Sequence, residues 1–539
     1  MTTPRKRTDE PRVFCTDDAR HAACLYQMQP SLEPADLHAT VDQFVNSGFD
    51  TLLYTVGVEG GAVVYDSHVV PKWGDNVTSW THPVWYRAAL NLRQLIADGH
   101  DPLQIMVDRA NQKGIWFFAG NWVNFNGTPR EQTGGLGRTI DWFYDNPQFQ
   151  VGPEDDPRAE HLSAGRFNFL HDEVRALRLA MFSETLARHQ TDGVDLDLLT
   201  FAPLCRFDQT DQLAPVLTQW LRDLRAAADK AAQQQNRAKR IFVRIPAHPG
   251  AWPIFGYDVP AWIADGLVDG LICSAGVLHA GIDHSHDLTP VTQLARGTNC
   301  RVFAGISALL GRQVSYYATP PLLHAAAANA YAQGAHGCGI GDCHWTPHGW
   351  PLQPQDYGTA RPLGDPDLLA VADKHYHAQS VTGRPHIEWF PGADRRLPIT
   401  LAEGKPVTVP LYIADDLPHY QQRGRIDAVR LHVRISSIEV ATNAVRVELN
   451  GQPLPDHLLD INDIGYRMIE TGSIGPYGCI YQYTLDPDHY PNPGRNEITV
   501  TLTQRDPHVE IPFDLYDVDC FVDYRLHRNY HRDPLNRNR

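Results

Sequence analysis

The chain has no apolar run near the ~18 residues that a membrane-crossing helix needs. Met1 to Glu10 is polar and basic, with no apolar segment behind it, so neither a secretion signal nor a membrane anchor is expected and a cytoplasmic location is. A cysteine framework is also missing. The nine cysteines are an odd number spread from Cys15 to Cys520 without repeated spacing, which fits reduced thiols better than a disulfide scaffold. Basic charge is in deficit, 47 Lys and Arg against 63 Asp and Glu, and the net charge of -16 repels a phosphate backbone, so no nucleic acid partner is expected. There is no glycine-rich phosphate fingerprint after the first strand signal, no P-loop and no GxSxG elbow, which argues against a dinucleotide cofactor and a serine-elbow hydrolase. His336, Cys338, Cys343 and His344, like His279, His284 and His286, match no paired-ligand spacing, so neither a metal nor any other cofactor is expected.

The length, 539 residues, exceeds one ordinary core, and two or more domains are expected. β-branched and aromatic strand signals occur at Thr51 to Val56, Ile115 to Ala119, Phe167 to Leu170, Asp192 to Thr200, Ile241 to Ile245, Gly270 to Ser274, Val302 to Gly305 and Cys338 to Gly341. Helical stretches alternate with them, among them one capped by Asp101-Pro102 and stopped at Gly114, and another from Asp172 to His189. Eight strands alternating with helices predict a (β/α)8 TIM barrel, with an open doubly wound sheet as the rival. From Ile399 the period changes to two, with strand-like runs to Tyr524 and a hairpin signal at Asn450-Gly451, which predicts a C-terminal all-β sandwich. The expected layout is an irregular lead-in over 1–30, a barrel over 31–345, a connector over 346–396, the sandwich over 397–526 and a basic tail over 527–539.

The central stretch runs from Asp192 to Thr200. Val194, Leu196 and Leu198 alternate with Asp195 and Asp197, so the two carboxylates share one face of a buried strand, their Cα atoms about 6.6 Å apart. Two acids on a core strand are either a structural ion pair or a site at the strand's carboxyl end, where barrel enzymes carry out their chemistry. Arg244, a charge in the apolar run Ile241 to Ile245, is either their counter-charge or a ligand for a substrate anion.

Asn168 to Leu170, then Asp172-Glu173-Val174-Arg175, then Asp192-Gly193-Val194-Asp195-Leu196-Asp197 resembles consecutive barrel units of the family 10-like glycosylhydrolases. Gly256 to Trp262 with Gly266 to Asp269 is similar to that group's next helix and sixth strand. Asn450-Gly451, Gly494 to Ile498 and Asp517 to Tyr524 resemble its sandwich, of jelly-roll or galactose-binding-like type. The central strand also resembles the DGxDxDxE strand of chitinase-like barrels, but Leu199 stands where that family has its acid.

The resemblance implies a glycosidase acting on a carbohydrate at the barrel's C-terminal face, with Asp197 as principal catalytic carboxylate. Asp195, one pleat deeper, holds Arg244 or orients Asp197. The second carboxyl that glycoside hydrolysis needs has two candidates, Asp342 after the eighth strand signal and Glu59 after the first. Asn121, Trp122, Asn124, His248, His344 and Trp345, with Arg244, are candidate substrate-binding residues, each equally open to a structural role. A non-catalytic carbohydrate-binding protein on the same barrel is the alternative.

Overall fold

The computed structural model describes residues 7–18, 25, 28–125, 127, 129–152, 165–200, 202–274, 282, 284, 287–310, 316–341, 352–378, 397–463 and 478–526. Eight parallel strands close into a barrel: β1 (Val13–Asp18), β2 (Thr51–Thr55), β3 (Trp116–Trp122), β4 (Gly193–Asp197), β5 (Arg240–Pro246), β6 (Gly270–Ser274), β7 (Arg301–Ile306) and β8 (Gly337–Ile340). Each pairs with the next in sequence, and β8 closes on β1. The outer layer includes α1 (Pro83–Ala97), α2 (Pro102–Lys113), α3 (Asp172–Arg188), α4 (Thr210–Gln235), α5 (Val259–Ala264), α6 (Thr289–Ala295) and α7 (Pro320–Ala332). Local chemistry sets several of these ends. The Asp101 carboxylate accepts from the Leu103 N–H at the start of α2, and Gly114 ends that helix in the left-handed conformation.

The barrel is the expected one, but two of its strands are not. Val13–Asp18, inside the stretch expected to be irregular, is the first strand, so Thr51–Thr55 is the second. Phe167 to Leu170, expected to be a strand, forms one bridge among the described residues, from Phe167 to Gln150. Its apolar content has another cause: Phe167 stacks on Phe143 at 4.3 Å and meets Trp142 edge-on at 5.4 Å, plugging the loop layer above the barrel.

Residues paired in register share a face. Phe14, Leu53, Trp116, Phe118, Phe242, Ile272 and Phe303 thus form an interior cluster separate from the strand–helix core. Phe118 and Phe242 stack at 4.4 Å, and Phe303 lies 5.2 Å from Phe242. This aromatic plug fills the middle of the barrel, so polar inward positions remain only above and below it.

β4 enters through Asp192-Gly193. The Asp192 carboxylate accepts from the Phe117 N–H at 2.9 Å and pairs with Arg7 and Arg237, at 2.7 and 2.6 Å. At Gly193 the neighbouring strand comes so close that a Cβ would lie 1.9 Å from the Arg240 carbonyl oxygen, and φ is +152°. Gly193→Ala is therefore expected to cost at least about 2 kcal/mol, read as a lower urea midpoint with unchanged slope.

The second unit is a β-sandwich. One sheet has the order β9 (Lys374–Ala378), β18 (Asp514–Tyr524), β12 (Ile426–Ser436), β16 (Gly478–Leu485) and β15 (Leu459–Asn462), with β10 (Ile399–Thr400) also on β18. The other has the order β11 (Pro406–Ile413), β17 (Gly494–Gln504), β13 (Ala444–Leu449) and β14 (Gln452–Pro453). Leu431, Val433, Tyr481 and Val518 of the first sheet meet Val409, Leu411, Val447, Ile498 and Val500 of the second in one apolar core. Within the stretch expected to be a connector, Pro366–Ala370 is helical and Lys374–Ala378 is already the sandwich strand β9.

His284 ties the two units together. Its Nδ1 accepts from the His377 N–H at 2.8 Å, its Nε2 bonds the Leu322 carbonyl at 3.1 Å, and its own backbone bonds His377 and Tyr412. With both ring nitrogens engaged, this histidine serves the junction.

Among the described residues no helix is long and apolar enough to cross a membrane. The seven cysteines among them are all buried and form no disulfide.

Candidate active site

Asp195 and Asp197 both face the barrel interior above the aromatic plug, because β4 alternates and its register matches Gly120 and Trp122 of β3 with Phe242 and Arg244 of β5. Gly120 makes room for the deeper acid: a Cβ there would come within 3.0 Å of Asp195 Oδ2. Arg244 binds Asp195 in a two-pronged pair, Nε donating to Oδ1 at 3.1 Å and Nη2 to Oδ2. Its Nη1 lies 3.7 Å from Asp197 Oδ2, so one guanidinium bridges both acids. Asp195 has no solvent exposure. Burial is the largest influence on it and raises its pKa; the Arg244 charge and hydrogen bonds act the other way, the Asp197 charge adds to burial, and the net direction is up.

Asp197 ends the strand. Its Oδ1 accepts from the backbone N–H groups of Leu199 and Thr200 at 2.8 and 2.9 Å, and its Oδ2 accepts from the Thr200 hydroxyl. The side chain thus forms the first turn after β4 while facing Arg244. Neighbouring loops are tied to this turn. The Tyr257 hydroxyl donates to the Leu198 carbonyl at 2.8 Å, the Val123 N–H donates to the Asp197 carbonyl at 3.0 Å, and the Asn124 amide donates to the Pro203 carbonyl at 3.0 Å. Arg178, fully buried on α3, donates to the Val123 and Asn124 carbonyls and lies 3.5 Å from the centre of the Phe125 ring. The loop after β3 is therefore held from below by a cation that water does not reach.

Asp195, Asp197, Arg244 and Trp122 are brought together on one inward face, with Trp122 half-buried in register with Asp197. Asn121 is not with them. It is in register with Leu196, on the opposite face, because side chains alternate along a strand, and it packs against the backbone of Gly57. Asn124 is buried and spends its amide on the Pro203 carbonyl, joining two loops. Glu59 is held by Arg138 at 2.7 Å. His248 is exposed, and its Nδ1 accepts from the Gly250 N–H at 3.0 Å, closing a turn. Asp342, His344 and Trp345, with His279, His286 and Cys343, lie outside the described residues. His336 accepts from the Val302 N–H at 3.1 Å through Nδ1, a second strand-end role.

Sequence reasoning passed over the end of β1. Its run Val-Phe-Cys-Thr-Asp-Asp ends with Asp18 in register with Thr55, at the same face of the barrel as the end of β4. The clue was present in the alternation of Val13 and Cys15 with Phe14 and Thr16, but the run is short and half polar.

No protein-family model matches the chain, and no curated protein matches it. Among solved structures it is similar to α-L-fucosidase isoenzyme 2 from Paenibacillus thiaminolyticus, with a TM-score of 0.43 and 13% identity over 68% of this chain and 51% of that one. It is also similar to the endo-β-1,4-mannanase from Thermotoga petrophila, with a TM-score of 0.39 and 10% identity over 91% and 95% of the two chains. A third is the PgaB (BpsB) glycoside hydrolase domain from Bordetella bronchiseptica, with a TM-score of 0.37 and 12% identity over 67% and 98%. The chain spans about half the length of the fucosidase chain it matches.

Proposed function

We propose that the chain is a glycoside hydrolase-like protein that acts on a glycan or glycoside at the C-terminal face of the barrel, with Asp197 as its principal carboxylate. The observation that carries this reading is the arrangement at the end of β4, where one acid sits at the barrel mouth and Arg244 bridges it to a second acid that solvent does not reach. Asp197 accepts from two backbone N–H groups and a hydroxyl, and a carboxylate surrounded by donors suits a nucleophile, or a counter-charge for an oxocarbenium ion, better than a proton donor. Asp195 then fixes Arg244 and takes no part in the reaction. Proton donation falls to another strand end. Asp342, which follows β8 in the sequence, is the candidate donor, whereas Glu59 already has its Arg138 partner. Trp122 supplies a face on which a sugar ring stacks.

One feature favours the binding-protein alternative: Leu199, buried, occupies the place of the acid in chitinase-like barrels. A panel of chromogenic glycosides and glycan fragments separates the two readings. Hydrolysis is expected, and NMR of the first-formed anomer then reports the carboxyl spacing, about 5 to 5.5 Å for retention and about 6.5 to 9.5 Å for inversion. Saturable glycan binding with no hydrolysis of any substrate would overturn the enzyme reading.

A further inference from the structure

The sandwich carries a second cluster of chemically active side chains, remote in sequence from the barrel acids. His375 and His377 lie two apart on β9, so both leave the same face, while Tyr376 between them enters the apolar core. β18 runs antiparallel beside β9, with Asp519 directly opposite His377 and Phe521 opposite His375. His375 Nε2 and His377 Nδ1 each stand 2.6 Å from the same oxygen, Asp519 Oδ1. Three potential ligand atoms, two imidazole nitrogens and a carboxylate oxygen, thus converge within 4.8 Å of one another.

The surroundings hold this convergence in place. The His375 ring stacks on Phe521 at 4.1 Å, and His432 of β12 packs on the same ring at 4.7 Å. The backbone of His377 is clamped by His284 on both its N–H and C=O. Nearby carboxylates have arginine partners, Asp517 with Arg434 at 3.1 Å and Asp523 with Arg430 at 2.7 Å. Asp519 faces the two imidazoles instead. The side chains of His375, His377 and Asp519 are 16%, 6% and 17% exposed, which leaves the cluster open to a small solute from one side.

We propose that His375, His377 and Asp519 form a binding site for a divalent transition-metal ion, zinc by preference, that staples β9 to β18. Two imidazoles and one carboxylate are a ligand set zinc accepts at about 2.0 to 2.2 Å per bond, and the partly open side leaves a fourth position for water. The mechanical consequence follows from topology. β9 is the strand by which the chain leaves the barrel and enters the sandwich, and a metal there joins that strand to the sandwich's C-terminal strand.

The test uses the full chain, stripped with EDTA, desalted and titrated with zinc sulfate. Metal content after gel filtration and the thermal midpoint are read for the parent, His375→Ala, His375→Gln and Asp519→Asn. His508→Ala serves as control, since His508 is an exposed histidine paired with Asp506. One equivalent of zinc per parent chain is expected, with a midpoint raised by about 5 °C at saturating metal. Uptake should fall at least tenfold in the site variants and stay at the parent level in the control. Failure of the stripped parent to retain zinc, with an unmoved midpoint, would overturn the proposal and leave a hydrogen-bonded His–Asp–His clamp. Parent-like uptake in His375→Gln and Asp519→Asn would overturn it as well. The parent titration decides the matter even where a variant does not fold.

Discussion

Asp197→Asn is expected to lower glycoside turnover by about 10² to 10⁴-fold while the protein stays folded. Asparagine keeps the size of aspartate and one carbonyl oxygen, so the N–H donors of Leu199 and Thr200 retain an acceptor and the turn after β4 persists. What is lost is the negative charge opposite Arg244 and the oxygen that would attack the sugar or stabilise it. The loss should appear in kcat more than in KM, because the charge acts on the transition state rather than on the bound ground state. The measurement is kcat and KM on the best substrate of the glycoside panel, with circular dichroism and the thermal midpoint as a check on folding. Turnover within a factor of three of the parent would end the assignment of Asp197 as the principal carboxylate.

Asp195→Ala should act on stability first, by about 3 to 5 kcal/mol. The Asp195 carboxylate is fully buried, and both of its oxygens face Arg244. Removing it takes from the Arg244 guanidinium its two-pronged acceptor and leaves the longer 3.7 Å approach to Asp197. The cost comes from the buried cation that loses this acceptor, so removing the cation as well should recover part of it. In a double-mutant cycle, Asp195→Ala with Arg244→Met is therefore expected to be less destabilised than the two single losses added together, with a coupling of about 1 to 3 kcal/mol. Urea denaturation of the four proteins supplies the cycle. Strict additivity would show that the pair contributes no coupling and would sink the account of Asp195 as the holder of Arg244.

Much of the architecture was legible because it follows from short-range periodicity. The barrel strands from Trp116–Trp122 and Gly193–Asp197 onward, and the helices between them, lie close to where β-branched runs, the Asp101-Pro102 cap and the amphipathic stretch from Asp172 predict them. The shared face of Asp195 and Asp197 follows from a repeat of two residues, and the turn to period two after Ile399 announced the sandwich. The same rule misled at Phe167 to Leu170, where aromatic content suited to a strand serves a stacked loop plug. Asn121 is a candidate sugar ligand in the sequence because it follows the strand signal Ile115 to Ala119; β3 runs on to Trp122, so the register partner of Leu196 turns to the face opposite Asp195 and Asp197.

By itself, then, the sequence determined which segments can be strands or helices and which side chains share a face, since both depend on residues a few positions apart. Partners across long separations were decided by the tertiary structure. Val13–Asp18 is half polar and reads as an irregular run, yet barrel closure needs a strand between β8 and β2, and those two strands bury it. Lys374–Ala378 becomes a sandwich strand because β18 offers it an edge. His377 meets Asp519 across 142 residues, and no local period could announce that meeting. Hydrophobic alternation specifies a face, whereas the group that face meets is set by chain closure and sheet order, which are properties of the whole fold.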